Sequence, residues 1–264
     1  PLQGIDTGIT ALANACHYGT HRRNLLADTT DIGFVPLAVP HNNQSGVVLD
    51  EWEGKKRFKK ADIPVPDGRL CTSEEASKVA SKIGFPVALK AVTQALTHKS
   101  EAGAVKIGLN DPEEVMTALG QIQQAIHHFN PDIVASHFLV EAMVQNIVAE
   151  LLVGIHTDPQ FGQIMVIAAG GVWVELMQDQ STLLLPTNGV KVLEALHRLK
   201  AFPLLQGFRG QPGCDLDQLV EAILRIASFA ATHHECLIEM DVNPLLVTTS
   251  GVIAADVMIR LTES

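Results

Sequence analysis

The sequence lacks the features by which a chain binds nucleic acid or crosses a membrane. It has no run of basic residues, and its formal charge of −10 opposes binding to phosphate backbones and anionic lipid. It has no apolar stretch of about 18 residues, and it does not begin like a secretory signal. We therefore expect a cytoplasmic protein with neither nucleic-acid nor membrane partners.

Sequence motifs for three common kinds of site are also missing. The cysteines Cys16, Cys71, Cys214 and Cys236 are far apart and form no C-x-x-C pair, which predicts reduced structural thiols rather than a disulfide framework or a zinc site. There is no G-x-x-x-x-G-K-[ST] motif and no strand-linked G-x-G-x-x-G motif. The sequence thus disfavours P-loop and dinucleotide-binding folds.

What the chain does have is enough apolar material for a sizeable core, with 47% hydrophobic residues in 264. Residues 1–46 begin with a helix-like stretch, Ile9 to Tyr18, and continue into a linker rich in Pro, Asn, Gly and Ser. Because the first residue is Pro rather than Met, we expect a piece of a longer protein.

The rest of the chain alternates between helical and strand patterns, which predicts an α+β fold. A charged amphipathic helix over residues 49–60 ends at two prolines, and further helices are predicted after Thr72, from Asp111, and near 189–200 and 215–233. Short apolar runs predict strands over residues 85–92, 104–109, 137–144, 149–156, 163–171, 172–179, 237–247 and 252–259.

The last two strands form a predicted hairpin that brings two oxygen ligands together. With Thr248 to Gly251 as the loop, Asn243 lies opposite Asp256, and opposed residues point to the same face of the pair. Asp241 falls on that face too. A carboxamide beside a carboxylate suits Mg²⁺ that holds nucleotide phosphates, and the alternative is an ordinary solvated hairpin face.

Lys90 lies within an apolar strand, where an unpaired ammonium is costly to bury. Either its partner is a bound phosphate, or the strand lies at an edge of the sheet and the amine reaches water. Glu150, beside the apolar run 151–153, allows the same two interpretations. The pair Gly170-Gly171 predicts a point where backbone or nucleotide approaches closely.

His98 lies in the polar loop T-H-K-S-E-A-G between two predicted strands of a smaller lobe. An exposed imidazole can accept a phosphoryl group on nitrogen when cations and amides neutralise the phosphate oxygens. The other interpretation is an ordinary surface histidine, of which a chain with 11 histidines holds several.

Several blocks of the sequence, in order, resemble the ATP-grasp part of the ADP-forming acyl-CoA synthetases, which are related to the succinyl-CoA synthetase beta subunit. The blocks are LDEWEGKKRFKKADIPVP, GFPVALKAV, THKSEAGAVKIGL, DPQFG, AAGGVWVELMQD, PLLQGFRG and IEMDVNPLLV. The resemblance implies an ATP-grasp fold with a small lobe over 47–137, including its N-terminal helix, and a large lobe over 138–264. Residues 1–46 look like the tail of an upstream CoA-ligase domain plus a linker.

The family's reaction converts acid, CoA and ATP into acyl-CoA, ADP and phosphate through acyl-phosphate and phosphohistidine. The resemblance implies Mg²⁺ and ATP as ligands, with CoA and the acid bound by upstream domains, so that this piece alone is incomplete. It further implies these roles: ATP contacts at Lys55, Lys90, Glu141, Met143 and Glu150, Mg²⁺ ligands at Asn243 and Asp256, a relay histidine at His98, and a carboxylate that steadies phosphohistidine at Asp241.

Two other functions stay open at this point. One is a nucleotide-sensing regulatory module of a fused protein acetyltransferase, and the other is a grasp ligase without a histidine relay. Lys90, His98 and the Asn243–Asp256 pair favour catalysis over sensing, and the loop around His98 argues against the relay-free ligase. The sequence leaves open the acid, the choice between adenine and guanine, and the presence of a homo-oligomer.

Overall fold

The structure is a computed structural model that describes residues 4–27, 46–93, 102–171 and 179–262. The chain divides into two units, residues 1–36 and 37–264. In the first unit the described residues form one helix, α1 (Ile5–Ala27), which contains the predicted helical stretch. Ile5, Ile9 and Leu12 of this helix are exposed apolar side chains.

The second unit contains a small four-stranded antiparallel sheet with the strand order β2-β5-β3-β4. Its strands are β2 (Gly68–Cys71), β3 (Val87–Val92), β4 (Val105–Leu109) and β5 (His137–Ala142). Two helices, α3 (Ala76–Ile83) and α4 (Pro112–Phe129), bury apolar residues against it. As predicted, Asp111 begins α4, and its Oδ1 accepts hydrogen bonds from the amides of Glu113 and Glu114.

The large sheet is antiparallel, with the strand order β1-β11-β9-β6-β7-β8 and with β10 paired to β9. Its strands are β1 (Gly46–Leu49), β6 (Ile147–Asp158), β7 (Gly162–Ala169), β8 (Gln180–Leu184), β9 (Leu237–Thr248), β10 (Gly251–Ala254) and β11 (Val257–Thr262). Three helices contribute buried residues to its core: α5 (Gly189–His197), α6 (Phe202–Gln206) and α7 (Leu216–Thr232).

The helix α2 (Glu51–Lys60) forms where the charged amphipathic pattern predicted it. Asp50 caps it by accepting a hydrogen bond from the amide of Glu53 at 2.9 Å. Its Phe58 is buried in the core of the large sheet, edge-on to Phe229 with ring centroids 5.3 Å apart.

Strand pairing divides the two lobes differently from the sequence-based boundaries. β5 pairs with β2 and β3 in the small sheet, although residues 138–264 were assigned to the large lobe. β1 pairs with β11, and Phe58 of α2 lies in the core of the large sheet, although the sequence-based boundaries place both elements in the small lobe. These pairings are long-range, so local sequence pattern does not reveal them. The change of sheet falls at residues 143–146.

Most of the predicted strands are present, and some predictions lie outside the described residues. The strand predicted over 172–179 lies outside the described residues except for residue 179. The strand β8, which follows it, was not predicted. The four cysteines are free thiols, as predicted. Burial, and next Glu75, raise the pKa of Cys71 to about 11, which fits an unreactive structural thiol.

Candidate active site

The predicted hairpin register is confirmed by the strand pairing. Val252 lies opposite Val247, and β11 continues the same register with Val257 opposite Val242. Between them, the amide of Asn243 donates to the carbonyl of Asp256 at 3.2 Å. Asn243 and Asp256 are therefore directly opposed, because the register is continuous through the position where β10 ends and β11 begins.

Asp241 lies on the same strand as Asn243, two residues before it, and is half-buried. Its carboxylate lies beside Gly154 of β6, where an added Cβ atom would be in ordinary van der Waals contact with Asp241 Oδ1, at 3.5 Å. Burial, and then the charges of Glu239 and Asp256, raise the pKa of Asp241 to about 6. Glu239 itself forms an ion pair with Arg260 at 2.7 Å.

Lys90 has anionic partners within the protein, the carboxylates of Glu51 and Glu141. Its Nζ donates to Glu51 Oε1 and to the Ala255 carbonyl, both at 2.7 Å, and lies 3.0 Å from Glu141 Oε2. All six residues of β3 are buried, and only 9% of the Lys90 side chain is exposed. The expectation of an edge position with the amine in water is wrong, because β3 is an interior strand between β5 and β4.

Lys55 reaches the same three acceptor groups from α2. Its Nζ donates to Glu51 Oε1 at 2.7 Å, to Glu141 Oε1 at 2.5 Å and to the Ala255 carbonyl at 2.7 Å. Its side chain is 3% exposed. We call the side chains of Glu51, Lys55, Lys90 and Glu141 together with the Ala255 carbonyl the lysine cage.

The charges of the lysine cage determine how firmly each ammonium keeps its proton. For Lys90, burial lowers the pKa, but Glu51, Glu141 and Asp256 outweigh burial and raise the pKa above its usual range. For Lys55, burial together with the neighbouring Lys90 ammonium outweighs the two carboxylates and lowers the pKa. Because both lysines share the same acceptors, their titrations are linked.

Sequence reasoning missed Glu51 and the Ala255 carbonyl. The spacing of four residues between Glu51 and Lys55 on a predicted helix was the one available signal, since it places both side chains on one helix face. Nothing in the sequence indicated the Ala255 carbonyl, because any residue can supply a backbone carbonyl.

The chain passes from the small sheet into the large one near Met143 and Glu150, and Gly170 contacts Glu150. Glu150 is exposed, opposite Leu246 in the β6–β9 register, and its carbonyl accepts from the Gly170 amide at 2.6 Å. A Cβ atom on Gly170 would lie 2.7 Å from the Glu150 carbonyl carbon, so the predicted close approach is one of backbone. The Met143 amide donates to the Pro86 carbonyl at 3.1 Å.

His98 lies outside the described residues. The described strands on either side of its loop, β3 and β4, are paired, with Lys90 opposite Val105. The loop therefore connects two neighbouring strands of the small sheet, as the sequence predicted.

Asn243 and Asp256 fit a hard metal ion in the chemistry of their donors, an amide oxygen and a carboxylate. Across residues 4–27, 46–93, 102–171 and 179–262, no group of three or more His, Cys, Asp and Glu side chains could hold a metal. The pair is thus suited to Mg²⁺ only when phosphate or water oxygens complete the coordination. Among the described residues, no helix is long and apolar enough to span a membrane.

Comparison with known proteins places this arrangement in a family. The family model for an ATP-grasp domain matches residues 41–261. The beta subunit of ADP-forming acetate–CoA ligase I from Pyrococcus furiosus is 34% identical over 209 residues, which are 79% of this chain and 89% of that subunit.

Solved structures agree with the sequence comparison. Acetyl-coenzyme A synthetase 1 of Candidatus Korarchaeum cryptofilum, with coenzyme A and Ca-AMPCP bound, superimposes with a TM-score of 0.77 at 32% identity, covering 90% of this chain and 99% of the other. A second structure of that enzyme, bound to coenzyme A and Mg-AMPPCP, gives 0.69 at 33% identity over 81% and 93% of the two chains. The chain belongs to the ATP-grasp family, as the ATP-grasp part of an ADP-forming acyl-CoA synthetase.

Proposed function

We propose that this chain binds Mg·ATP between its two sheets and transfers the γ-phosphoryl group to histidine, as one stage of making acyl-CoA from a carboxylic acid, CoA and ATP. The observation that carries the proposal is that Lys90 and the Asn243–Asp256 pair meet at two consecutive residues, Ala255 and Asp256. Lys90 Nζ bonds to the Ala255 carbonyl, and the next residue, Asp256, lies opposite Asn243.

The two relatives support the details of the proposal. The Korarchaeum enzyme has been solved with Mg-AMPPCP, with its phosphohistidine segment pointing towards the nucleotide-binding site. The Pyrococcus relative is named an acetate–CoA ligase. By analogy, Asn243 and Asp256 would hold Mg²⁺, and the acid would be acetate or another carboxylic acid bound with CoA by partner domains.

In the transfer itself, an imidazole nitrogen of His98 bonds to the γ-phosphorus while the bond to the β–γ bridging oxygen breaks, and ADP leaves. Lys90 donates to a phosphate oxygen and stabilises the charge that moves onto the bridging oxygen. When bound, Mg²⁺ neutralises the phosphate oxygens. Asp241 accepts from the phosphohistidine ring and orients it, while Glu141, Met143 and Glu150 lie along the segment that would hold the base and ribose.

The test is transfer of label from γ-labelled ATP with Mg²⁺ to the protein, with an alkaline quench that preserves phosphohistidine. We expect acid-labile label on the wild type and none on His98→Ala. His128→Ala, which replaces an exposed histidine on α4, is the matched control and should keep the label.

Absence of acid-labile label on the wild type, despite binding of Mg·ATP, would contradict the relay. It would favour a nucleotide-sensing module or a ligase without a histidine carrier. The cytoplasmic location stays a prediction.

A further inference from the structure

Both ammonium groups of the lysine cage lie against three acceptors. An ammonium has three hydrogens to donate, and Lys90 Nζ meets three acceptors at 2.7, 2.7 and 3.0 Å. Lys55 Nζ meets the same three groups at 2.7, 2.5 and 2.7 Å. A phosphate oxygen that binds either lysine therefore competes with these acceptors for a hydrogen of the ammonium group.

The acceptor that Lys90 can release at least cost is Glu141. Its Oε2 is the most distant of the three acceptors, at 3.0 Å. If Lys90 turned to a phosphate, Glu141 would still be paired with Lys55 through Oε1 at 2.5 Å, so no buried carboxylate would be left without a partner. The exchange leaves Lys90 anchored on Glu51 and on the Ala255 carbonyl.

Glu51 and the Ala255 carbonyl are the two anchors that stay in place. The Glu51 side chain is fully buried, and its Oε1 accepts from both lysines. It lies in the first turn of α2, where the helix dipole favours a carboxylate. Through the two lysines it holds the carbonyl of Ala255, the residue before the proposed metal ligand Asp256.

We propose that Glu51 is a positioning residue for phosphoryl transfer, which holds Lys90 and the Ala255–Asp256 peptide in register with Asn243 and with the incoming phosphates. Lys55 belongs to this support and does not contact nucleotide, whereas Lys90 exchanges Glu141 for a phosphate oxygen. The inference rests on the proposed Mg·ATP site and assigns to it a residue that is not among the ligands.

The test is calorimetric titration of the whole chain with AMPPCP, in excess Mg²⁺ and again in EDTA, for the wild type and Glu51→Gln. The ratio of the two affinities is the magnesium enhancement. We expect Glu51→Gln to lower this enhancement about tenfold, as for a typical coupling between sites, because Asp256 loses its support. The affinity without Mg²⁺ should change far less, since Lys90 is still cationic.

The matched control is Glu53→Gln on the same helix. Glu53 forms an exposed ion pair with Lys56, with side-chain exposures of 47% and 45%, and its replacement should leave both affinities unchanged. A loss of stability alone would not change the ratio in protein that circular dichroism shows to be folded.

If Glu51→Gln does not fold, the double variant Glu51→Gln/Lys55→Met removes one buried charge of each sign and keeps the Lys90–Glu141 pair. It should show the same loss of magnesium enhancement. A wild-type enhancement in either folded variant overturns the role of Glu51. An Asp256→Asn variant that keeps the wild-type enhancement overturns the proposed metal site itself, and with it this inference.

Discussion

Lys90 is a charge inside a strand in which all six residues are buried. From the sequence, the cost of burying an ammonium was enough to predict an anionic partner. The partners themselves, Glu51 and Glu141, are distant in sequence and come from other elements. Tertiary packing alone brings them to Lys90, so their identity could not be predicted. The Asn243–Asp256 pair could be predicted from the sequence, because a hairpin register depends only on the local turn.

At Asp241, the raised pKa predicts a pH dependence of folding stability. The folded state keeps a proton up to about pH 6, whereas the unfolded carboxyl releases it near its ordinary pKa of about 4. Stability should therefore fall as the pH rises from about 4 to about 6. Asp241→Asn removes this penalty and should stabilise the protein by about 1–2 kcal/mol at pH 7, allowing for partial solvent screening.

Thermal unfolding of the wild type and of Asp241→Asn, at pH 4 and at pH 7, measures the effect. Asp132→Asn, which replaces an exposed aspartate, should change the melting temperature little at either pH. A stabilisation by Asp241→Asn that is equally large at pH 4 would show that the charge of Asp241 is not its cause.

Among the elements, β6 and the residue that follows β7 are in contact through their backbones. Gly170 lies so close to Glu150 that a Cβ atom would come within 2.7–2.8 Å of backbone atoms and the Glu150 Cβ. The sequence indicated a close approach at this glycine pair, although it could not tell whether backbone or nucleotide was the neighbour.

Gly170→Ala should therefore destabilise the chain by about 1–3 kcal/mol, because the backbone of β6 has to shift. Gly120→Ala is the matched control: it lies within α4 with nothing within 4 Å of the added Cβ, and should stabilise by up to about 1 kcal/mol. Urea denaturation measures both. Equal effects of the two substitutions would mean that the Gly170 contact is relieved without strain.

At the scale of the whole molecule, the lysine cage joins the small sheet to α2 and to Ala255, which lies between β10 and β11 of the large sheet. A ligand that binds at this junction stabilises both sheets together, since it binds the folded state only. At about 100 times its dissociation constant it adds about 2.7 kcal/mol, which should raise the melting temperature by about 5–10 °C in a chain of this size.

We expect that rise with ADP and Mg²⁺, and a clearly smaller one when EDTA removes the metal. Asn243→Ala should abolish the difference between the two conditions and leave the melting temperature of the free protein nearly unchanged, because Asn243 is exposed. Scanning fluorimetry measures all three. A rise that is insensitive to EDTA in the wild type would argue against a metal at the Asn243–Asp256 pair.

The pairing of β1 with β11 makes the beginning of the second unit depend on its end. Gly46 lies opposite Thr262, and β11 is the one partner of β1 within the described ranges. The strands of the small sheet, by contrast, all lie between residues 68 and 142. On the ribosome, the small sheet is complete long before β11 is made. Until then β1 lacks its pairing strand, and the large sheet acquires its outermost strand only after every strand of the small sheet has been made.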